Sequence, residues 1–460
     1  MKRRLFFALL LVLVVPACSQ NVLYEVTCLP SDRSIVREYK ENVFVVYNTG
    51  ANSNSFNLVD LNSMSVNSID VGPSEVNDFE IYKDIVYFCG KVGSQALVGW
   101  FDIPAVFSGM ASVRLTYLPS MTCPQNTGYT DYFTNVKKIE LMDIGGGMHL
   151  LLVGESYCSR EPTLATRFFA DLFFNGTDWT FEATQEHSAI FYYDDVAVTD
   201  NRVVPVGHKN PSNAEYIYSL PKPLAPYVGI FSSISFFPII FNYSVRAYAG
   251  YSCQIIDSLA EIVIEHITGD VFCTAYHGYA TPSGGSGYVN GTLVNVYSGG
   301  FGVSGRYCVA PYSLKFKDLR YSPMTNSLYL LPGAGSPAPP YEYVELFLNP
   351  THTAVTSVQE HVDMMSSRYS SLDACMSTYG NGQSILSGSN KYLRLWRHDP
   401  STEETCSKMV KIPEIIIDCP DYSDFYMDIY FEHVQLYFGS YSPSLTTYKI
   451  IEICKEDENQ

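Results

Sequence analysis

The sequence lacks the motifs on which most catalytic and metal-site predictions rest. It contains no CxxC pair, no HExxH spacing and no GxSxG elbow, which argues against a structural zinc site, a zinc protease and a serine hydrolase. Only 3 tryptophans are present, and no apolar run reaches the roughly 20 residues that a membrane-spanning helix needs. Helical periodicity is nearly absent. The function therefore has to be sought in the organisation of a β-rich chain.

Positive charge is also scarce. The chain has 29 Lys and Arg against 47 Asp and Glu, which gives a formal net charge of -18. Loss of the three N-terminal cations by processing would move this charge from -18 to -21. A strongly acidic chain without a basic stripe repels nucleic acid and anionic lipid. The sequence therefore predicts no nucleic-acid partner.

The N-terminus has the pattern of an export signal. Three basic residues, Lys2 to Arg4, precede the apolar stretch Leu5 to Val15 and small residues near position 19. We predict a signal over residues 1–19 and a single mature domain over 20–460. Cys18 follows a run that resembles a bacterial lipobox, so two fates stay open. The protein is either an outer-membrane lipoprotein anchored at Cys18 or a periplasmic or extracellular protein.

The 12 cysteines are compatible with disulfides in an exported protein. If Cys18 carries lipid, eleven remain and at least one is unpaired. Cys406 and Cys419 flank two short apolar runs of a predicted hairpin, and they are the pair predicted to form a disulfide. Cys89 is predicted to pack as a small buried hydrophobe.

An internal repeat dominates the chain. Six times an acidic residue precedes a glycine that closes a short apolar run, and the spacing is twelve in the first three copies and fifteen in the last three. Periods of this kind indicate arrays or propellers. The six phrases run from Glu38 to Gly50, Asp78 to Gly90, Asp195 to Gly207, Asp318 to Gly333, Asp373 to Gly388 and Asp424 to Gly439. Two weaker copies lie around Glu140 to Gly154 and Glu265 to Gly278. The two spacings predict that the turn after the first strand lengthens by three residues along the chain.

Each repeat unit contains four short runs of β-branched and aromatic residues separated by turns, as in a four-stranded meander. A ring of such meanders leaves few exposed edges. We therefore predict an all-β fold, a β-propeller of seven or eight four-stranded blades, with eight preferred. The last unit lacks its fourth strand, and residues Val22 to Cys28 form a strand without a partner. Pairing of these two would close the ring, and it would place Cys28 near Tyr448 rather than Cys454.

The recurring acid falls where the first strand of each blade begins, so a ring of carboxylates could surround one mouth of the central channel. Such a ring could bind Ca²⁺. The favoured interpretation is structural, with each acid accepting hydrogen bonds from backbone amides, and no cofactor is expected. The recurring glycines are interpreted as positions of positive φ at strand ends. The ring acids are Asp78, Asp195, Asp318, Asp373 and Asp424.

The densest acidic and aromatic stretch lies near residue 424 and supplies the candidate binding residues. Carboxylates beside aromatic rings are typical of sugar sites and of glycosidases. Alternation along a strand also explains the pattern, with aromatic residues inside and acids outside. No pair of carboxylates can be placed at a catalytic separation, so the catalytic residues stay unassigned. The candidates are Asp421, Asp424, Tyr426, Asp428 and His433.

The export signal and the repeat, with phrases such as Val86 to Gly90 and Gly99 to Ile103, resemble the uncharacterised propeller-like lipoproteins or secreted proteins of Gram-negative bacteria. The Trp-Asp endings of WD40 blades, the double glycines of kelch repeats and the Asp-box of sialidases are absent. The resemblance therefore implies a fold and a cellular location, and it supplies no site residues.

Together these features predict a cell-envelope protein that binds a protein or a glycan through loops at one face of the propeller and does no chemistry itself. Loops on a rigid scaffold carry function disproportionately. A carbohydrate-active enzyme on the same scaffold and a structural surface component are the two alternatives.

Overall fold

The computed structural model describes most of the strands of the chain. The described residues are 21–28, 34–48, 54–122, 128–144, 147–160, 165–174, 176–184, 191–199, 202–209, 214–217, 220–221, 237–239, 246–247, 251–254, 263–282, 289–298, 302–309, 316–332, 341–362, 373–379, 382–388, 392–399, 404–411, 427–432, 435–441 and 446–452.

Within these ranges the strands form eight sheets, which we number as blades in chain order. The N-terminal strand is β1 (Asn21–Cys28), which precedes blade 1. Blade 1 contains β2 (Ser34–Lys40), β3 (Val43–Asn48), β4 (Ser55–Asp60) and β5 (Ser65–Asp70). Blade 2 contains β6 (Glu75–Tyr82), β7 (Ile85–Val92), β8 (Gln95–Asp102) and β9 (Arg114–Tyr117), with the short helix α1 (Ile103–Phe107) after β8.

The next three blades have more than four strands each among the described residues. Blade 3 contains β10 (Met121–Thr122), β11 (Thr130–Ile144), β12 (Gly147–Cys158), β13 (Ala165–Phe174) and β14 (Trp179–Thr184). Blade 4 contains β15 (Phe191–Val198), β16 (Arg202–Lys209), β17 (Ala214–Ile217), β18 (Leu220–Pro221) and β19 (Phe237–Ile239). Blade 5 contains β20 (Arg246–Ala247), β21 (Tyr251–Gln254), β22 (Val263–Thr268), β23 (Val271–Pro282), β24 (Val289–Ser298) and β25 (Gly302–Val309).

The last three blades return to four strands. Blade 6 contains β26 (Phe316–Ser322), β27 (Ser327–Pro332), β28 (Tyr341–Leu348) and β29 (Val355–Val362). Blade 7 contains β30 (Asp373–Tyr379), β31 (Gly382–Gly388), β32 (Tyr392–Asp399) and β33 (Glu404–Lys411). Blade 8 contains β34 (Met427–Glu432), β35 (Gln435–Tyr441) and β36 (Thr446–Glu452), with β1 as its fourth strand.

The protein is a β-propeller, and the predicted closure of the ring is confirmed. β1 pairs antiparallel with β36, so the N-terminal strand completes the last blade. Cys28 lies opposite Thr446, and Val26 lies opposite Tyr448. This register carries Cys28 away from position 454, as expected for antiparallel pairing.

Apolar side chains fill the spaces between consecutive blades. Phe56, Phe79 and Phe88 belong to one cluster between blades 1 and 2, in which Phe56 meets Phe79 edge to face at a ring-centroid distance of 5.2 Å. A second cluster joins blades 2 and 3 and includes Cys89, which is fully buried as the sequence predicts. Burial raises the pKa of the Cys89 thiol well above its ordinary value. A third cluster joins blades 5 and 6. Because each blade is covered on both faces, its strands read as apolar runs.

Two glycines of the repeat, Gly90 and Gly154, serve close packing rather than positive φ. In β6 the register skips Asn77, which marks a β-bulge, and Gly90 lies opposite Val76 beside this bulge. A side chain at Gly90 would collide with the carbonyl oxygen of Glu75, and one at Gly154 would collide with the carbonyl oxygen of Asn135. Neither glycine is among the described residues with positive φ. The positive-φ interpretation is therefore wrong for these two positions.

The predicted lengthening of the first turn is also wrong as a rule. Two residues separate β6 from β7, four separate β26 from β27, and two again separate β30 from β31. In blade 7 the longer spacing comes from the strand, because Asp373 lies directly opposite Gly388, whereas Asp78 lies opposite the residue before Gly90.

Candidate functional site

Asp78 ties blade 2 to its neighbours. Its carboxylate accepts a hydrogen bond from the backbone N–H of Phe79 at 2.9 Å and a longer one from the N–H of Ile139 at 3.4 Å. Ile139 lies on β11, which follows the two-residue strand β10 and is the first long strand of blade 3. Arg37 of blade 1 also donates to Asp78 at 3.2 Å. The acid of the repeat therefore joins three consecutive blades at its β-bulge.

Asp195 repeats this arrangement, and Asp318 repeats the part of it that lies within its own blade. Asp195 accepts from the N–H of Val196 at 3.0 Å and from the N–H of Ile264 on β22 of blade 5 at 3.2 Å. Asp318 accepts from the N–H of Leu319 at 2.9 Å. The structural interpretation of the recurring acid is confirmed at these three positions. Of the other two, Asp373 begins β30 and Asp424 lies outside the described residues.

Three copies of the repeat place their acid at another position. Ile139 and Ile264 each donate a backbone N–H hydrogen bond to the recurring acid of the preceding blade, so Glu140 and Glu265, which follow them, are equivalent to each other. In blade 3, Lys138 occupies the position of Asp78. Since side chains two apart on a strand share a face, Glu140 lies on the same side of β11 as Lys138. In blade 1, Glu38 lies opposite Phe44 near the end of β2, so it is also out of register with Asp78.

These first strands bring charged side chains together in the centre of the ring. Ion pairs join Arg37 to Glu80 at 3.5 Å, Lys138 to Asp195 at 3.1 Å, and Arg320 to Asp318 at 2.6 Å. Glu80 of blade 2 also interacts electrostatically with Arg320 of blade 6, which lies four blades along the ring. We call this set the channel cluster. Its members are Arg37, Asp78, Glu80, Lys138, Glu140, Asp195, Glu265, Asp318 and Arg320.

Two carboxyl groups of the channel cluster bind protons unusually tightly. Burial, followed by repulsion from Glu80, Asp195 and Asp78, raises the pKa of Glu140 to about 8. Burial also raises the pKa of Glu265 to about 7, against the lowering effects of the Tyr321 N–H and Arg320. The side chains of Glu80 and Asp195 are 35% and 16% exposed, so water still reaches the cluster.

The channel cluster pairs a carboxyl group that holds its proton at neutral pH with carboxylates tied to N–H donors and cations. Separated pKa values of this kind are used in general acid catalysis. Burial also raises the pKa of Asp78 and of Asp195, although Arg37 and Lys138 respectively act in the opposite direction. In the part of the chain that the structure describes, no group of three or more His, Cys, Asp or Glu side chains has the geometry of a metal site.

The binding residues predicted near position 424 mostly lie outside the described ranges. This holds for Asp421, Asp424, Tyr426 and His433. Asp428 lies on β34 opposite Gly439. Of the cysteines, Cys18 and Cys419 lie outside the described ranges, and Cys406 lies on β33 opposite Arg397. These assignments stay predictions.

Sequence reasoning missed a tyrosine pair at one rim of the ring. Tyr132 on β11 lies directly opposite Tyr157 on β12, and their rings stack with centroids 5.1 Å apart and an interplanar angle of 22°. The residues are 25 positions apart in the chain. A signal was present in the alternation of aromatic and polar residues at both places. Their register could not be read from it, because two bulges in β11 shift the pairing.

The remaining described helix and cysteines give little functional information. No described helix is both long and apolar enough to cross a bilayer. Helix α1 is a short element that begins after Asp102, whose carboxylate accepts a hydrogen bond from the N–H of Ala105 at 2.7 Å. Cys89 and Cys273 are buried, and Cys158 is half-buried.

Comparison with known proteins adds no family. No protein-family model matches the sequence, and no curated protein matches it either. Solved structures with a similar arrangement include the WD40 domain of SCAP from fission yeast, at 10% identity and a TM-score of 0.45, covering 94% of this chain and 97% of that one.

Two further structures are similar to comparable extents. Hsv2 of Kluyveromyces lactis is 8% identical with a TM-score of 0.41, over 84% of this chain and 98% of that one. The β-fructofuranosidase BmSUC1 of Bombyx mori, of family GH32, is 11% identical with a TM-score of 0.32, over 82% and 89%. Since all three TM-scores are below 0.5, the fold assignment rests on the sheet topology, and no activity or partner is taken from these proteins.

Proposed function

We propose that this chain is a non-catalytic binding protein of the bacterial cell envelope, which uses one face of its propeller to bind a protein or a glycan. The observation that carries the proposal is that the recurring acids are engaged in hydrogen bonds and ion pairs within the fold. Asp78, Asp195 and Asp318 accept backbone hydrogen bonds at β-bulges, and each also contacts a cation. Asp78 and Asp195 also join neighbouring blades, and carboxylates committed to such contacts are poorly placed to act on a substrate.

The departures from the four-stranded plan support a role for the surface. Extra strands occur in blades 3, 4 and 5, which are consecutive, while the other five sheets each have four strands among the described residues. Rigid scaffolds with local additions are typical of binding proteins, because the additions change without disturbing the core. The side of the ring formed by blades 3 to 5 is therefore the region proposed to meet a partner.

Export is part of the same proposal. The signal-like residues 1–19 support export, and the lipobox-like position of Cys18 leaves two locations open, an outer-membrane lipoprotein and a periplasmic or extracellular protein. Metabolic labelling with a radioactive fatty acid tests this directly. Label in the wild type and none in Cys18→Ser supports the anchor. An unlabelled wild-type protein in the periplasm or medium supports simple secretion, and an unlabelled protein in the cytoplasm overturns export.

Binding is tested with the chain from residue 20 onward, immobilised and exposed to defined glycans and to purified envelope proteins, with and without Ca²⁺. We expect saturable binding to at least one ligand, with the ligand recovered unchanged. A requirement for Ca²⁺ would assign a cofactor that the favoured prediction does not include. Absence of saturable binding to every glycan and envelope protein, or recovery of cleaved ligand, would overturn the proposal.

One observation favours the alternative, a carbohydrate-active enzyme. Glu140 has a pKa of about 8 and lies among carboxylates in a channel that water reaches, as a general acid would. The assay is hydrolysis of neutral polysaccharides by the wild type, by Glu140→Gln and by Asp143→Asn as an exposed control on the same strand. Hydrolysis that only Glu140→Gln abolishes would establish the enzyme and replace the binding proposal.

A further inference from the structure

Blade 3 extends beyond its neighbours at the face of the ring where the first strands begin. β6 starts three residues before Asp78, whereas β11 starts eight residues before Lys138, the equivalent position. Five additional residues of extended chain add about 16 Å. β12 runs alongside this extension as far as Cys158. We call residues 130–135 of β11 and residues 155–158 of β12 the blade 3 extension.

The blade 3 extension carries the tyrosine pair Tyr132 and Tyr157. Tyr132 is 41% exposed although it stacks on Tyr157, so one face or edge of the pair meets water. Exposing aromatic surface costs free energy unless something covers it in use. Stacking also fixes the two rings before any ligand arrives, which lowers the entropy lost on binding. The pair is therefore an ordered, partly apolar surface about the size of two rings.

A charged pair lies beside the tyrosines. The Nζ of Lys137 is 3.6 Å from the Oε1 of Glu155, and their side chains are 45% and 36% exposed. Glu155 and Tyr157 are two residues apart on β12 and share a face. Lys137 is the residue that the register skips between Val136 and Lys138, so a bulge projects it from the ladder. The amine of Lys137, a hydrogen-bond donor, and the carboxylate of Glu155, an acceptor, thus lie next to the aromatic surface.

We propose that Tyr132, Tyr157, Lys137 and Glu155 form a subsite for a neutral sugar ring of a glycan. A pyranose packs its C–H face on an aromatic ring and directs its hydroxyls outward, where an amine and a carboxylate can donate and accept hydrogen bonds. The neutral class follows from the charge of -18 on the chain, which opposes polyanionic glycans. This inference rests on the proposed binding function and identifies its ligand class.

A protein partner fits this surface less well. Specific protein interfaces bury about 800 Å² on each partner around a hydrophobic centre. Among the described residues of the blade 3 extension, Tyr132 is the one large hydrophobic side chain that is exposed, and Glu155 of the charged pair lies two positions from Tyr157 on β12. A small polar ligand with one apolar face matches these dimensions better.

The test is a set of neutral and acidic glycans offered to the chain from residue 20 onward, followed by titration of the best ligand. We expect a neutral glycan to bind, and we expect Tyr132→Ala to raise its Kd about ten-fold or more through lost stacking. Tyr132→Phe keeps the ring and should stay within about three-fold of the wild type. Glu155→Gln should weaken binding several-fold. Tyr117→Ala is the matched control, because Tyr117 is 45% exposed on blade 2.

The outcomes separate this inference from the proposed function. If a neutral glycan binds and neither Tyr132→Ala nor Tyr157→Ala weakens it, the subsite is wrong while the binding function stands. If only an envelope protein binds, the glycan class is wrong and the binding function again stands. If nothing binds, both fall. Unchanged thermal unfolding of each variant confirms that a loss of binding is not a loss of folding.

Discussion

Blades 2 and 3 are neighbours built on one plan, and they differ in the length, the bulges and the charged residues of the strands β6 and β11. In blade 2 the first strand has eight residues and one bulge. Asp78, which lies next to that bulge, accepts a hydrogen bond from the backbone of blade 3. In blade 3 the first strand has 15 residues and two bulges, and a lysine takes the place of the acid. The cores of the two blades merge in a single apolar cluster.

The difference separates what the repeat maintains from what it leaves free. Asp78 and Gly90 are both explained by contacts with neighbouring backbone, so their recurrence reflects packing. Tyr132 and Lys137 follow no repeat, and both are exposed. A functional residue in this protein is therefore better sought where a blade departs from the pattern than where it conforms.

The largest effect is expected at the glycine of blade 2. Gly90→Ala places a methyl group against the carbonyl oxygen of Glu75, and the backbones must separate to admit it. We expect a loss of about 3 kcal/mol or more in the free energy of unfolding. Urea denaturation measures this.

Gly93→Ala is the matched control for that change. Gly93 has a φ of 58° and open space around it, so only backbone strain of about 1 kcal/mol is expected. Gly154→Ala in blade 3 should resemble Gly90→Ala, because it meets the carbonyl oxygen of Asn135. Equal losses for Gly90→Ala and Gly93→Ala would contradict the close-packing explanation.

The next effect concerns the position at which the two blades differ. Asp78→Ala deprives Phe79 and Ile139 of an acceptor and Arg37 of a partner, so we expect a loss of about 2 kcal/mol in unfolding free energy. Lys138→Ala removes one partly exposed ion pair and should cost below about 1 kcal/mol. Denaturant titrations of both variants compare them. A larger loss for Lys138→Ala would show that the acid is not the principal tie.

A pH-dependent effect follows for Glu140. Its pKa is about 8 in the folded protein against an ordinary value of 4.5, so the folded state holds this proton more tightly than the unfolded chain. Stability from this group is therefore complete below pH 4.5 and is lost as the pH rises to about 8. Because water reaches the channel, we expect the loss to be about 1 to 3 kcal/mol.

The variant Glu140→Gln should remove this dependence, becoming more stable than the wild type at pH 9 and similar to it at pH 4. Glu265→Gln should act in the same direction over a narrower pH range, from about 4.5 to about 7, because the pKa of Glu265 is about 7. Unfolding curves collected across this pH range measure both. Parallel pH profiles for the wild type and Glu140→Gln would refute the assignment.

The smallest effect on stability is expected on the blade 3 extension. Tyr132→Ala should lower the unfolding free energy by about 0.5 kcal/mol, because the residue is 41% exposed and its ring contact is with Tyr157 near the end of the sheet. Its chain neighbour Phe133 is 4% exposed and packs against Phe168 and Phe181, so Phe133→Ala should cost about 3 kcal/mol or more. Thermal unfolding distinguishes them. Similar losses would place Tyr132 in the core and remove it as a binding residue.

The fold could be predicted because its signals are local. Short runs of β-branched and aromatic residues between turn residues predict the four-stranded sheets of blades 1 and 2, because each run is long enough for one strand. The unpaired strand at the N-terminus predicted the closure with β36, because an edge strand needs a partner.

The site could not be predicted in the same way because it depends on register. Gly90 must be a glycine because the bulged strand β6 comes close to it, and that bulge cannot be recognised from the sequence of β7. Glu140 was grouped with Asp78 by its spacing to a glycine, yet it lies two positions further along the first strand. The contact between Tyr132 and Tyr157 required the count of bulges in β11, and bulges leave no fixed signature in composition.

The pairing of β1 with β36 determines how late the ring can close during synthesis of the protein. Asn21 meets Glu452, so the two positions are 431 residues apart in the chain. At about 5 to 20 residues per second, synthesis of the intervening chain takes roughly 20 to 90 s, during which β1 has no partner. We therefore expect β1, which is synthesised before the other described strands, to be among the last of them to pair. Its edge must be shielded from other chains throughout that interval.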